Sequence, residues 1–338
     1  MSGSYQPEMG PQAILSLHFA MMPSRALAAA VQCDLFSALA PAPAGVAALV
    51  RATGCDRRGL RMLLDAMAAL GFLTKQEGVY DLAPQARRYL VRGAPDYVGA
   101  ILETDDIWDA WTGLPQTVRS GRPTQTVDRV ERAERFFPTL IRSLHVMNRA
   151  PAERLAAMLS LPDGARVLDV GAGSAVWSIA CAERHRSLRV TAHDFPRVLT
   201  ETRGFVARHG LSDRYDYLAG DVKSVDFGQA AFDLALLGNI VHSEGEESSR
   251  ALFVRLHAAL RRGGQIAIID FLPEPDRTGP PQAVLFALNM LVATVAGDTF
   301  TLAEYTGWLE AAGFAEVRTV DIGAHLGVAA SAVVARRA

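Results

Sequence analysis

The pattern of apolar and polar positions changes near residue 163. Before it the apolar residues recur at helical spacing; after it short β-branched runs alternate with helix-length segments. In the first part, "ALAAAVQCDLFSAL" (26–39) is apolar nearly all round, which predicts a helix buried in a core or a subunit interface. Residues 45–90 read as a helix, a turn at Thr53–Asp56, a second helix and a short hairpin in "FLTKQEGVYDL", where Glu77-Gly78 joins two alternating strands. That order is a winged-helix pattern. Residues 96–160 read as linking helices, with a loop at "SGRPTQ" (120–125) and an interruption near Pro151. Trp108 and Trp111 fall at i,i+3, on one helix face.

From residue 165 onward the pattern predicts strands at 165–170, 188–193, 215–219, 232–238, 264–271, 316–321 and 326–336. Helices are predicted at 174–185, 196–209, 246–262, 282–295 and 301–313. Such alternation argues a mostly parallel seven-stranded α/β sheet with helices on both faces. The expected organisation is a module at 1–95, linking helices at 96–160 and a sheet domain at 161–338. In open parallel sheets ligands sit beyond the carboxyl ends of the strands, so the residues just after strands are the candidates for chemistry.

Half of the 338 residues are apolar and the formal net charge is −2, so the chain can bury a large core and carries no basic excess for nucleic acid. The winged-helix pattern, with Arg57, Arg58 and Arg61 opening its second helix, is therefore read as a scaffold and not a DNA reader. Cys33, Cys55 and Cys181 show no CxxC spacing, which fits a reducing cytoplasm better than a disulfide framework or a zinc site. The opening "MSGSYQPEMGPQ" lacks a basic n-region, and the longest uncharged apolar run, 283–297, is short for a bilayer span; no membrane partner is expected.

The strongest local signal is "VLDVGAGSAVWSIA" (167–180): a strand, Asp169, the turn glycines Gly171 and Gly173, then a helix. The dinucleotide fingerprint is matched only loosely, with Val176 at its sixth place, and no GK[ST] follows. A carboxylate beside the turn disfavours a pyrophosphate and suits a cationic ligand. S-adenosylmethionine, with an ammonium, a sulfonium, a ribose and an adenine, fits. Asp194 after the second strand offers acceptors for both ribose hydroxyls, Phe195 an apolar face for adenine, and Asp221 in "AGDV" an acceptor for the adenine amino group.

Taken together, "VLDVGAGSAVWSIA", "HDFPRVL", "YLAGDV", "FDLALLGNIVHSEGEE" and "AAGFAEVRTV", with "LLDAMAALGFL" and "YDLAPQARRYL" upstream, resemble the class I S-adenosylmethionine-dependent methyltransferases. More narrowly, the chain resembles the small-molecule O-methyltransferases of the plant caffeate and bacterial polyketide-tailoring type. The resemblance implies a Rossmann-like domain behind an N-terminal all-α winged-helix dimerisation domain, a homodimer, and no DNA binding. It adds Val222 and Asn239 to the cofactor residues Asp169, Gly171, Gly173, Asp194, Phe195 and Asp221.

For a hydroxyl acceptor a base must remove a proton, and a phenol, with a pKa of about 10, needs one at neutral pH. His242, after the fourth strand, falls where the family places its catalytic histidine; Asp270 ends the next strand and is the expected orienter. The family's usual "HDW" is "HSE" here, Gly238 and Asn239 stand where larger or basic residues are usual, and Thr299 aligns with a second flanking acid, with Asp298 beside it. Ala175 replaces a frequent glycine. Trp108, Trp111, Met147, Phe286, Asn289 and Met290 are the expected acceptor pocket, apolar enough for an aromatic or polycyclic small molecule, and no metal cluster is evident. The same fold admits carbon or nitrogen methylation or a non-methylating relative, and a cofactor-sensing regulator is the alternative from another class.

Overall fold

A computed structural model describes residues 10–124, 126, 130–325 and 328–338. The N-terminal nine residues, residue 125 of the expected 120–125 loop and residues 326–327 of the expected last strand lie outside the described residues. The chain divides into two compact units, ending and beginning at Asp105 and Asp106.

The first unit opens with α1 (Pro11–Phe19), α2 (Met21–Gln32) and α3 (Leu35–Leu39). It continues through β1 (Ala44–Gly45), α4 (Val46–Thr53), α5 (Arg57–Ala69), β2 (Leu73–Gln76), β3 (Val79–Leu82) and α6 (Pro84–Tyr89). Asp56 starts α5 by accepting the Arg58 and Gly59 N–H groups at 2.9 and 3.0 Å, the standard way to satisfy orphan donors of a first turn. Glu77 and Gly78 both take positive φ, 49° and 81°, the backbone that a two-residue hairpin requires. β1 adds a third strand, in the order β1-β3-β2, so this unit is not all helix. Its core gathers Val31, Leu35, Phe36, Leu60, Leu64 and Tyr80. Arg61 is paired with Asp65 at 3.0 Å, and Asp65 also accepts from Lys75 at 2.6 Å and from the Tyr80 hydroxyl at 2.7 Å. The fold also makes neighbours of Cys33 and Cys55, both free thiols, with burial raising Cys33.

Segment Pro11–Gln32, not the 283–297 run, is the stretch long and apolar enough by composition to cross a membrane, at 22 residues. Ile14, Leu15, Leu17, Phe19, Met21 and Met22 stand exposed on it.

The second unit holds α7 (Asp106–Thr112), α8 (Leu114–Ser120) and α9 (Val130–Met158), then β4 (Arg166–Val170), α10 (Val176–Arg184), β5 (Arg189–Asp194), α11 (Pro196–Arg208), β6 (Tyr215–Ala219) and β7 (Phe232–Gly238). It ends with α12 (Val241–Ala259), β8 (Leu260–Ile269), α13 (Pro281–Ala293), α14 (Leu302–Ala311), β9 (Phe314–His325) and β10 (Val328–Arg337). The seven-stranded sheet runs β6-β5-β4-β7-β8-β10-β9, with β10 antiparallel to both neighbours and the rest parallel. Both faces are covered, which is why β7 reads as a continuous apolar run with Leu234–Leu237 fully buried. One layer packs Leu155, Trp177 and Val206 against the sheet, the other Phe253, Leu256 and Tyr305. The chain winds from β4 to β5 and β6 on one side and to β7 and β8 on the other, so the switch point lies between β4 and β7.

Three local readings change. The helix expected over 26–39 is two, α2 and α3, broken at Asp34, which takes a φ of 54°. α9 continues through Pro151, because the missing N–H affects only the carbonyl of Met147, a residue 41% exposed. α12 starts at Val241, earlier than expected, and is broken at Gly245 (φ 76°, ψ 173°); a Cβ there would meet the Ala296 carbonyl oxygen at 2.5 Å. His242 therefore sits on a separate first turn of the helix.

Candidate active site

The β4–α10 turn is bare by construction. Gly171 and Gly173 take φ of 63° and 53°, and a Cβ on Gly171 would strike Ile240 at 2.6 Å. Asp194, at the end of β5, closes over it: one oxygen accepts the Gly173 N–H at 2.9 Å, the other the Phe195 N–H at 2.8 Å. Burial pushes Asp194 up to about 6 against the pull of these two N–H groups. Each oxygen retains a further lone pair, an acceptor pair of the kind a vicinal diol needs. Phe195 caps α11, partly exposed beside it. Asp221, exposed after β6, accepts the Lys223 N–H at 2.9 Å over the buried Val222. Asn239 follows β7 in the left-handed region, φ 60°, its N–H on the Ile269 carbonyl at 2.9 Å. These groups lie at or past the carboxyl ends of β4, β5, β6 and β7, and the turn from Asp169 to Val176 carries no Lys or Arg. A crevice of glycine backbone flanked by carboxylates fits a phosphate-free, cationic nucleoside such as S-adenosylmethionine.

Asp169 lies differently from the expectation of an open contact for a cationic tail. It is 1% exposed and accepts the Ser178 hydroxyl of α10 at 2.5 Å; Ser178 in turn accepts the Tyr215 hydroxyl at 3.0 Å. Burial, with Asp194 adding to it, pushes Asp169 up to about 7 although the Ser178 bond pulls it down.

On the other side of the switch point, His242 Nδ1 lies 2.6 Å from Asp270 Oδ1. The carboxylate also accepts the His242 N–H at 3.1 Å, the Phe271 N–H at 2.8 Å and the Tyr305 hydroxyl at 3.0 Å. Both partners are buried, at 6% and 4% exposure. A carboxylate only accepts, so the Nδ1 proton is held toward Asp270 and the imidazole lone pair falls on Nε2. Burial and the Asp270 charge raise Tyr305 well above the ordinary phenol range, which keeps it a donor. Tyr305 is the residue that sequence reasoning missed. A Thr301–Glu304 capping box starts α14 and so sets where Tyr305 points; that signature was available in the sequence, its target was not.

Neither Thr299 nor Asp298 brings a side chain to the His242 imidazole through a described hydrogen bond. Thr299 Oγ1 donates to the Ala283 carbonyl at 3.2 Å, and the Asp298 carboxylate lies 3.7 Å from Arg277; what reaches His242 is the Asp298 N–H, on the His242 carbonyl at 2.9 Å. On the acceptor side, Phe286 meets the His242 ring edge-on at 4.9 Å and stacks on Phe271 at 4.2 Å. Asn289, one turn along α13, accepts the Trp111 indole N–H at 3.0 Å, and Met290 is buried. Trp108 shares α7 with Trp111, partly exposed. Met147 lies on α9, 41% exposed.

Comparison with known proteins places this geometry. A model of the O-methyltransferase domain matches residues 120–315, and one of the O-methyltransferase dimerisation domain matches residues 15–92. The 3-hydroxy-5-methyl-1-naphthoate 3-O-methyltransferase of Streptomyces sahachiroi is 33% identical over 94% of both chains. The tetracenomycin polyketide synthesis 8-O-methyl transferase TcmO of Streptomyces glaucescens is 31% identical over 93% of this chain and 94% of that one. The crystal structure of human N-acetylserotonin methyltransferase in complex with S-adenosylmethionine has the same fold, with a TM-score of 0.85 over 99% of both chains at 23% identity. The chain belongs to the S-adenosylmethionine-dependent O-methyltransferase family.

Proposed function

We propose that the enzyme methylates a hydroxyl group on an aromatic, polycyclic small molecule, with His242 as the general base. The observation that carries this reading is the His242–Asp270 pair: a buried imidazole whose Nδ1 is fixed by a carboxylate that already accepts three other bonds. When bound, S-adenosylmethionine supplies a methyl group already activated by its sulfonium. The chain's own work is alignment, exclusion of water and removal of one proton. Gly171 and Gly173 would pass the backbone close to the cofactor, Asp194 would take the ribose hydroxyls, and Asp221, Val222 and Phe195 would surround the adenine, with Asn239 beside the turn. Asp169 supports the turn from beneath.

At the acceptor side the hydroxyl donates to His242 Nε2, and the imidazolium that forms is stabilised by Asp270. Phe271 and Phe286 wall the base from water, and Trp111, Asn289, Met290 and Trp108 extend an aromatic and apolar lining. Such a lining suits a flat aromatic acceptor, in keeping with the naphthoate and tetracenomycin named for the two relatives. We further infer a homodimer formed through the first unit, whose exposed Ile14, Leu15, Leu17 and Phe19 need a cover, and a cytoplasmic enzyme, which suits its free thiols.

Substitution of His242 by Ala tests the base. Turnover should fall by about 10²–10⁴ while S-adenosylhomocysteine binding, measured by calorimetry, stays within about twofold. Unchanged turnover would remove His242 from the chemistry and favour an amine acceptor, which needs no base.

A further inference from the structure

The loop from Gly220 to Ala231 carries Asp221 and Val222, the third arm of the crevice. Its own hydrogen bonds fix its shape: Asp221 accepts the Lys223 N–H through its side chain at 2.9 Å, and the Ser224 and Val225 N–H groups through its carbonyl at 3.0 and 2.9 Å. The Gly220 N–H ties its start to the Asp194 carbonyl of β5 at 3.2 Å, and its other bonds to the rest of the unit run to α12. Arg255 Nη1 donates to the Val222 carbonyl at 2.6 Å, and Nη2 donates to the Val225 carbonyl. The same guanidinium lies 5.0 Å from the centre of the Phe227 ring. Phe227 in turn meets the buried His193 ring edge-on at 5.3 Å, the residue beside Asp194 on β5.

A planar fork of donors that also stacks on an aromatic face is what this double task requires, and a lysine cannot supply both. A second link, Lys223 to Glu244 at 3.5 Å, involves a lysine more than half exposed and holds little by comparison. We infer that Arg255 is a positioning residue for the cofactor, placing Asp221 and Val222 where the adenine end is bound. The inference rests on the reading of that loop as the adenine site. α12 then carries the base His242 on its first turn and the brace of the adenine loop further along.

Calorimetric titration with S-adenosylhomocysteine tests this on wild type, Arg255→Met, Asp221→Ala and the double variant. Met keeps the aliphatic stem and loses the fork. Arg255→Met should raise Kd about tenfold. In the Asp221→Ala background the same change should raise it less than about threefold, because a loop that has lost its polar adenine contact gains less from being placed. A merely structural arginine would lower the melting temperature and give full additivity; full additivity, or a single-variant Kd within about twofold of wild type, overturns the inference. An inert Asp221→Ala would instead overturn the reading of the loop. If Arg255→Met does not fold, Arg255→Lys, which keeps stem and charge without the fork, carries the same comparison.

Discussion

Asp270 and Asp169 are both buried carboxylates at the carboxyl end of the sheet, one just past β8 and one within β4, the strands that flank β7, and they are built in opposite ways. Asp270 accepts four bonds, from two backbone N–H groups, an imidazole and a phenol. Asp169 accepts the Ser178 hydroxyl, with Tyr215 behind it, and burial pushes it up to about 7. A carboxylate with several donors is held in one geometry before any ligand arrives. Asp169, bonded through Ser178 alone and fully buried, is left near its titration point. The His242–Asp270 side is thus fixed by several bonds, and on the turn side burial raises the pKa of both Asp169 and Asp194.

Asp270→Asn attacks the His242–Asp270 side and should have the largest effect. The amide must aim a donor at a point where His242, Phe271 and Tyr305 already donate, so one N–H is left facing another and the imidazole loses its tautomer. Turnover should fall on the order of 10³–10⁴, and the chain should lose about 3 kcal/mol of stability. Single-turnover methylation and urea unfolding measure the two. A rate within about tenfold of wild type would mean that the Nδ1 bond does not set the base.

Asp169→Asn probes the turn side. The folded-state pKa of Asp169, about 7, is above its ordinary value of 3.8, so the folded chain holds a proton that the unfolded chain has released between those limits. The stability of the wild type therefore falls as pH rises from about 4 to about 7, with Asp194, raised to about 6, acting in the same direction. Asn keeps an acceptor for Ser178 and carries no charge. It should gain about 2–4 kcal/mol over wild type at pH 8 and almost nothing at pH 4. Thermal unfolding at the two pH values measures the difference; an equal effect at both would mean that Asp169 is not the titrating group.

How far the sequence alone revealed these two sides follows from which interactions are local. The strand-end rule pointed to Asp194, Asp221, His242 and Asp270, because each sits at the end of a strand or within four residues after one whose apolar run is unmistakable. The direction of Asp169 was also legible: period-two alternation places it on the face of Val167, which is core, whereas its position before the glycines drew attention to the ligand instead. Tyr305 was not legible, since 35 residues and a tertiary packing step separate it from Asp270. Nor was the fate of Thr299, between α13 and α14, whose hydroxyl is taken by the Ala283 carbonyl of α13. Motif comparison aligns residues; it does not say which neighbour a hydroxyl will find.

The smallest expected effect concerns the turn itself. Ala175 stands where the family often has glycine, and an added methyl reads as harmless in sequence. In the structure its φ is 57°, in the left-handed region, at the start of α10. An L-residue held there costs about 1–2 kcal/mol. Replacing the buried Ala175 by Gly relieves that strain and loses about 0.8 kcal/mol of methyl burial, plus about 0.5–1 kcal/mol from the greater freedom of the unfolded chain. The terms nearly cancel, so Ala175→Gly should lie within about 0.5 kcal/mol of wild type. Ala182, equally buried but inside α10 with ordinary helical surroundings, has no strain to relieve, and its replacement by Gly should cost about 2 kcal/mol. Urea unfolding of the two variants side by side reads the difference. If they cost the same, the turn stores no backbone strain.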